Sequence, residues 1–119
     1  MNSVHIIGRL TKNPVLRKTK NGRDILRFVI KIERKIMKAS EGSNDNPAVV
    51  PDYIPCFASD SKAVAIADNM EEGHRIGITG HLQSYMHLDK SNMEHYQVEV
   101  YVDTYDFLTP RKPKYLVVP

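Results

Sequence analysis

Apolar and polar residues alternate along most of this chain of 119 residues, and one stretch replaces that alternation with a helical repeat. Near the start, Val4, Ile6 and Leu10 share one parity, whereas His5 and Arg9 share the other. Successive side chains of a strand point to opposite faces, so this period predicts half-buried β-strands. The pattern therefore restricts the chain to a fold built mainly from β-sheet.

The alternation predicts five strands, over about residues 4–10, 25–34, 52–59, 74–88 and 93–108. Between them, Asn21-Gly22 predicts a tight turn, residues 39–51 a long loop, and residues 89–92 the turn between the last two strands. Because proline cannot donate to a ladder, Pro55 predicts an edge or a bulge in the third strand. The same strand is expected to direct Tyr53, Phe57 and Ser59 outward.

The one helical stretch has apolar residues at i, i+3, i+4 and i+7, namely Ala63, Ile66, Ala67 and Met70. Asp60 or Ser61 is expected to cap its start, and Gly73 to end it in the left-handed conformation. Three strands, a helix and two further strands form the element order of the five-stranded OB-fold barrel. The sequence thus predicts an all-β domain over residues 1–108, with one helix between the third and fourth strands, and a short tail over residues 109–119.

Charge is distributed very unevenly along the chain. Residues 1–38 contain eleven Lys and Arg but two acidic residues, whereas residues 39–108 contain three basic and twelve acidic residues. A first third this basic is typical of a protein that binds a polyanion such as nucleic acid. The alternative is that the basic and acidic regions pair with each other across the fold.

Several function classes are disfavoured by the residues themselves. The single Cys56 excludes an intramolecular disulfide and a cysteine-based zinc site, and the five histidines have no ligand-like spacing. No nucleophile motif or phosphate-binding glycine loop is present. No apolar run reaches the ~20 residues of a membrane span, and the start does not resemble a signal peptide. We therefore expect a cytoplasmic protein that is not an enzyme and needs no metal or cofactor.

Five short motifs, in order, resemble bacterial single-stranded DNA-binding proteins over about residues 1–108. Residues 8–17 read G-R-L-T-K-N-P-V-L-R, similar to the family's opening G-R-L-T-x-D/N-P-x-L-R. The other matches are residues 19–22 (T-K-N-G), 52–54 (D-Y-I), 80–83 (G-H-L-Q, after Gly73) and 98–108, which resembles the family's closing T-E-V to F-L.

The resemblance implies an OB-fold that binds single-stranded DNA without sequence preference, usually as a homotetramer, with no catalysis and no cofactor. Such a protein coats and protects unwound DNA during replication, recombination or repair, in the cytoplasm or nucleoid of a bacterium, or as part of a phage or mobile element. Two alternatives stay open. One is a primosome-type OB protein for replication restart, and the other is a protein-interaction OB module without nucleic-acid affinity.

Single strands are bound by cations that follow the phosphates and by aromatic rings on which bases stack. The basic candidates on the first two strands and beside their turns are Arg9, Lys18, Lys20, Arg23, Arg27, Lys31, Arg34 and Lys35. The stacking candidates are Tyr53, Phe57, Tyr85 and His87. The chain departs from the family in having no tryptophan. Ser59 stands where a Phe is usual, and His87 lies near a usual Trp position.

Two expectations concern assembly and the tail. Ile7 lies opposite the inward face of the first strand, and Tyr101 and Tyr105 are outward on the last strand, so we expect a homo-oligomer. The tail, residues 109–119, has three basic residues and no acidic one, so it lacks the acidic tip with which the family recruits replication and repair proteins. We expect no such recruitment, and an apolar stretch over residues 115–118 that packs as an added strand.

Overall fold

The computed structural model describes residues 1–36 and 48–110, in six strands and one helix. The elements are β1 (Val4–Leu10), β2 (Arg17–Lys18), β3 (Asp24–Ile36), β4 (Ala48–Ser59), α1 (Asp60–Asn69), β5 (Arg75–Leu88) and β6 (Glu94–Phe107). The expectations for the middle of the long loop, residues 39–47, and for the tail from residue 111 onward lie outside the described residues. No helix in the described ranges is long and apolar enough to cross a membrane.

The strands close into a barrel, which confirms the predicted OB-fold. The sheet runs in the order β1-β5-β6-β4-β3-β2, and a further pairing of β1 with β3 joins its two sides. That closing pairing is short and involves Arg9 and Leu10. β4 and β6 are parallel and pair only at Cys56 and Phe57, so Pro55 lies beyond the end of this pairing, at the expected edge.

The alternation predicted from the sequence fills the interior. The buried core residues contributed by the strands include Leu10, Leu26, Phe28, Ile30, Cys56, Ala58, Ile76, Ile78, Val100 and Val102. Helix α1 adds Ala63 and Ile66 from its apolar stripe, and Met70, which follows its last residue, is also buried. The core therefore takes one parity from each long strand, and the opposite parity forms an outer face.

Two strand boundaries differ from the sequence prediction. β3 continues to Ile36 and β4 begins at Ala48, so residues 48–51 belong to a strand and not to the loop. The short strand β2 was not predicted at all. Arg17 and Lys18 pair with Ile25 and Asp24 across the predicted Asn-Gly turn, in which Gly22 has a φ of 81°. Two residues carry too little periodicity to show such a strand in the sequence.

The predicted start and end of α1 are both wrong by a few residues. The N-cap is Ser59, not Asp60 or Ser61, and its hydroxyl lies 2.7 Å from the Tyr101 hydroxyl instead of capping the helix. Ser59, predicted on the outward face of its strand, is buried beside the outward Tyr101. The helix ends at Asn69, with Met70 as its C-cap, and Gly73, with a φ of 85°, lies in the following turn.

The β5–β6 hairpin is long and extends past the barrel. From Leu82 onward most β5 residues are exposed on both faces. The predicted turn at residues 89–92 is confirmed: Asp89 Oδ1 accepts the backbone N–H groups of Ser91 and Met93, at 2.8 and 3.0 Å. Asn92 takes the left-handed conformation with a φ of 59°. The hairpin is therefore an ordered arm.

Candidate nucleic-acid interface

A first row of outward side chains crosses β1, β3 and β4. Arg9 is the register partner of Lys31, and Lys31 is in turn the partner of Tyr53. Partners in register place their side chains on the same side of the sheet, so two cations and one aromatic ring form a line across three strands. Tyr53 is 59% exposed and contacts no other aromatic ring of the described residues. Its ring faces are available for stacking.

A second row crosses β3, β4, β6 and β5. Its register partners are Arg27, Phe57, Tyr101 and His81, in that order. The Arg27 guanidinium carbon lies 4.8 Å from the Phe57 ring centroid, and the Phe57 and Tyr101 centroids are 5.5 Å apart. His81 stacks on Tyr101 at 5.1 Å. This row is therefore a continuous layer of planar groups, in which Tyr101 and His81 had no predicted role in DNA binding.

Arg27 connects the barrel to the hairpin. Its guanidinium also lies 5.3 Å from the centroid of Tyr85, so one cation contacts two rings from different elements. Beneath it, Arg27 Nε donates to Glu99 Oε2 at 3.4 Å, and the Glu99 side chain is only 11% exposed. A nearly buried carboxylate thus lies under the centre of the outer face, and Arg27 provides its compensating charge.

The outer side of the hairpin continues the layer. The Tyr85 hydroxyl donates to Gln97 at 2.7 Å, and the Tyr85 and His87 centroids are 6.3 Å apart. His87 stacks on its cross-strand partner His95 at 5.3 Å with an interplanar angle of 19°. The turn between the last two strands predicts that His87 and His95 approach each other across the hairpin, and the register that pairs the two imidazoles confirms this.

Hydrogen bonding shifts the pKa of two carboxyl groups near this face. The hydrogen bond between His95 Nε2 and Asp89, 2.8 Å long, lowers the pKa of that carboxyl, and the Met93 N–H adds to the effect. Arg23 donates from Nε and Nη2 to the two Asp60 oxygens, at 3.2 and 2.9 Å, and thereby lowers the pKa of Asp60. Both carboxylates therefore stay ionised below the usual range for aspartate.

Most of the predicted cations have acidic partners. Within the described ranges, five of the eight form ion pairs: Lys18 with Asp24, Arg23 with Asp60, Arg27 with Glu99, Lys31 with Glu33, and Arg34 with Asp52. Three of these pairs join the basic first third to the acidic middle region. Part of the segregated charge is therefore neutralised across the fold.

The remaining three cations have different surroundings. Arg9 donates from Nη1 to the Gly73 carbonyl at 2.9 Å. Lys20, in the turn between β2 and β3, and Lys35, near the end of β3, form no ion pair with the residues that the structure describes. They leave two uncompensated charges at opposite ends of β3.

Only some of the predicted site residues lie together in the structure. The outer face unites Arg9, Arg27, Lys31, Tyr53, Phe57, Tyr85 and His87. Lys18, Lys20 and Arg23 lie at the turn end of β3, near the start of α1. Arg34, expected at the start of the long loop, is inside β3, where its parity is opposite to that of Lys31 and its Nε donates to Asp52 at 2.6 Å.

Comparison with known proteins gives a family match and many relatives. The model of the single-strand binding protein family matches residues 1–108. A single-stranded DNA-binding protein of Caldanaerobacter subterraneus is 32% identical over 111 residues, which cover 93% of this chain and 70% of that protein. One from Clostridium tetani is 35% identical over 109 residues, with coverages of 91% and 70%. A Bacillus cereus relative is 31% identical, and the match covers 62% of it.

A solved structure supports the fold. A Plasmodium falciparum SSB complex with single-stranded DNA matches with a TM-score of 0.75 at 17% identity, over 92% of this chain and 96% of that one. At this identity the likeness concerns the barrel and not the side chains on its outer face. It agrees with the closed ring of strands described above.

Proposed function

The chain belongs to the single-strand binding protein family, and on this premise we propose that it binds single-stranded DNA with little sequence preference. The observation that carries the proposal is the outer face, where cations of β1 and β3 lie beside exposed or half-exposed rings of β4 and β5. Ring faces stack on any base, and cations attract any phosphate. Such a face favours single strands over duplexes because only unpaired bases can reach the rings.

We place this binding in the coating of unwound DNA during replication, recombination or repair. The relatives described above are bacterial proteins named for single-stranded DNA binding, which supports a cytoplasmic location. The role is protective and not catalytic. It needs no cofactor, since cations and rings alone account for the binding.

We also propose that the protein assembles into a homo-oligomer, a tetramer by the resemblance to its family. Support comes from the outward parity of β1, where Ile7 is 53% exposed. Ile7 lies beside Gly77, Thr79 and Leu108 in a shallow hollow on the barrel wall. Apolar surface of this kind is typical of a contact between subunits. A monomer mass by light scattering at micromolar concentration would contradict the assembly without affecting DNA binding.

The binding proposal is tested by fluorescence anisotropy of a labelled oligo-dT and of a duplex, each at two or more salt concentrations. The logarithm of the affinity should fall linearly with that of salt, by about 0.7 per phosphate neutralised. Tyr53→Ala should weaken binding by about 1–3 kcal/mol if a base stacks on that ring. Tyr96→Ala is the matched control, because Tyr96 is at least as exposed as Tyr53 but has the opposite parity on β6.

The outcomes separate two functions. Undetectable oligo-dT binding at low salt would refute the proposal and favour the protein-interaction module, to which the five ion pairs lend some support. Binding that is equal for parent and Tyr53→Ala would refute only the stacking role of that tyrosine.

A further inference from the structure

A hollow of about 540 Å³ lies on the flank of the barrel, between β3 and the segment that joins β1 to β2. Its apolar lining includes Pro14, Val15 and Val29, and its charged lining consists of Lys12, Arg17 and Arg27. The volume falls within the ~300–1,000 Å³ of small-molecule sites. Among residues 1–36 and 48–110, no acidic residue lines it.

The walls of the hollow are fixed by hydrogen bonds at three points. The backbone N–H and the hydroxyl of Thr11 both donate to the Val29 carbonyl, at 3.1 and 2.9 Å. Asn13 Oδ1 accepts the backbone N–H of Glu72 at 2.8 Å, and Arg17 pairs with β3. A segment held at both ends and at its middle is preorganised, so a ligand does not have to order it on binding.

Two of the three cations at this hollow have no carboxylate partner among the described residues. Neither Lys12 nor Arg17 forms an ion pair with a carboxylate of the described ranges, whereas five of the eight cations considered above do. Arg27 belongs to both places, because it lines the hollow and also contacts Phe57 and Tyr85. The hollow is therefore continuous with the outer face and has uncompensated positive charge at its rim.

We propose that this hollow holds one nucleobase of the bound single strand, with the adjoining phosphates on Lys12 and Arg17. The inference rests on the proposed function and extends the path of the bound DNA strand past Arg27 to the flank of the barrel. An apolar floor beside two free cations matches the chemistry of a nucleotide, which joins a flat, weakly polar ring to an anion. The contacts with the base are aliphatic, through Pro14, Val15 and Val29, instead of aromatic.

The test uses oligo-dT anisotropy on the full chain with three single variants. Lys12→Ala and Arg17→Ala should each reduce the salt slope by about 0.7, since each removes one phosphate contact. Val15→Trp fills the hollow without changing charge, so the slope should stay the same while affinity falls at least about fivefold, the loss expected for one base contact. Val15 is exposed, so the larger side chain is compatible with folding, which a melting curve checks.

Matched controls are Lys62→Ala on α1 and Val98→Trp, which is exposed on the other face of the hairpin. Both should bind like the parent. If the parent binds oligo-dT and the Lys12 and Arg17 variants have the same salt slope as the parent, the inference is overturned and the proposed function is left intact. If the Lys12 and Arg17 variants have reduced slopes but Val15→Trp binds with the parent's affinity, the hollow binds phosphates and not a base, and the base-binding part of the inference is overturned. A parent that fails to bind would refute the proposed function itself.

Discussion

Glu99→Gln should strengthen the binding of single-stranded DNA. The Glu99 carboxylate is nearly buried beneath Arg27, under the centre of the outer face. Glutamine retains an oxygen that can accept from Arg27 Nε, so the guanidinium keeps its position between the Phe57 and Tyr85 rings. The substitution therefore removes a negative charge with little change in geometry.

The size of the gain follows from Coulomb's law. A phosphate on the far side of the guanidinium would stand about 7 Å from the carboxylate, a repulsion of about 0.6 kcal/mol in water and about 2.4 kcal/mol at an effective dielectric constant of 20. The outer face is partly exposed, so we expect a value near the lower limit, or a gain of about three- to tenfold at low salt. The gain should shrink as salt is raised.

Oligo-dT anisotropy at about 50 and about 200 mM salt, between which the Debye length roughly halves, provides the assay. Glu94→Gln is the control, because it changes the net charge equally but lies on β6 with the opposite parity, bonded to the Tyr96 hydroxyl. Weaker binding by Glu99→Gln at low salt would refute the reasoning. It would mean that the carboxylate acts by orienting Arg27 and not by repelling phosphate.

Three further predictions concern stability and reactivity. In Gly80→Ala the new Cβ would collide with the Tyr101 carbonyl oxygen, so urea unfolding should show that the free energy of unfolding falls by at least about 3 kcal/mol. Gly77→Ala is the control and should be tolerated, because the nearest neighbour of its new Cβ would be 3.8 Å away. Burial, and secondarily Glu99, raises the pKa of Cys56 to about 12, so its thiol should react with iodoacetamide only after unfolding. Because the folded pKa exceeds the unfolded one, stability from this group is complete below about pH 9 and is lost as the pH rises towards 12, which melting curves can follow.

The barrel was predictable from the sequence because its core obeys a strict alternation. Leu26, Phe28 and Ile30 share one parity and are all buried, and a one-residue slip would have exposed them. The errors occurred where tertiary contacts outweigh local preference. Ser59 has a typical capping side chain, but its hydroxyl bonds to Tyr101, 42 residues away along the chain. No local pattern contains that contact.

The candidate site was predictable in its residue types but only partly in its pairing. The alternation along the strands predicted that Arg27 and Phe57 point outward, and the resemblance to the family predicted Tyr53 as a stacking residue. The approach of His87 to His95 across the turn was also predictable. The contact between Arg27 and Tyr85 was not, because it depends on the path of the hairpin. The hollow beside Lys12 and Arg17 could not be predicted from the sequence, because several segments form it and none of them has a distinctive composition.

The ion pairs of this surface are compatible with binding a polyanion because they are of two kinds. Arg23 and Asp60 are both more than half exposed, and an exposed ion pair contributes little to stability. A phosphate can therefore replace Asp60 while that carboxylate returns to water. Glu99 is nearly buried and cannot rehydrate, so Arg27 has to stay above it. On the proposed function, exposed pairs of the first kind can therefore exchange a carboxylate for a phosphate. Arg27 would instead stay in place over Glu99, in contact with the Phe57 and Tyr85 rings.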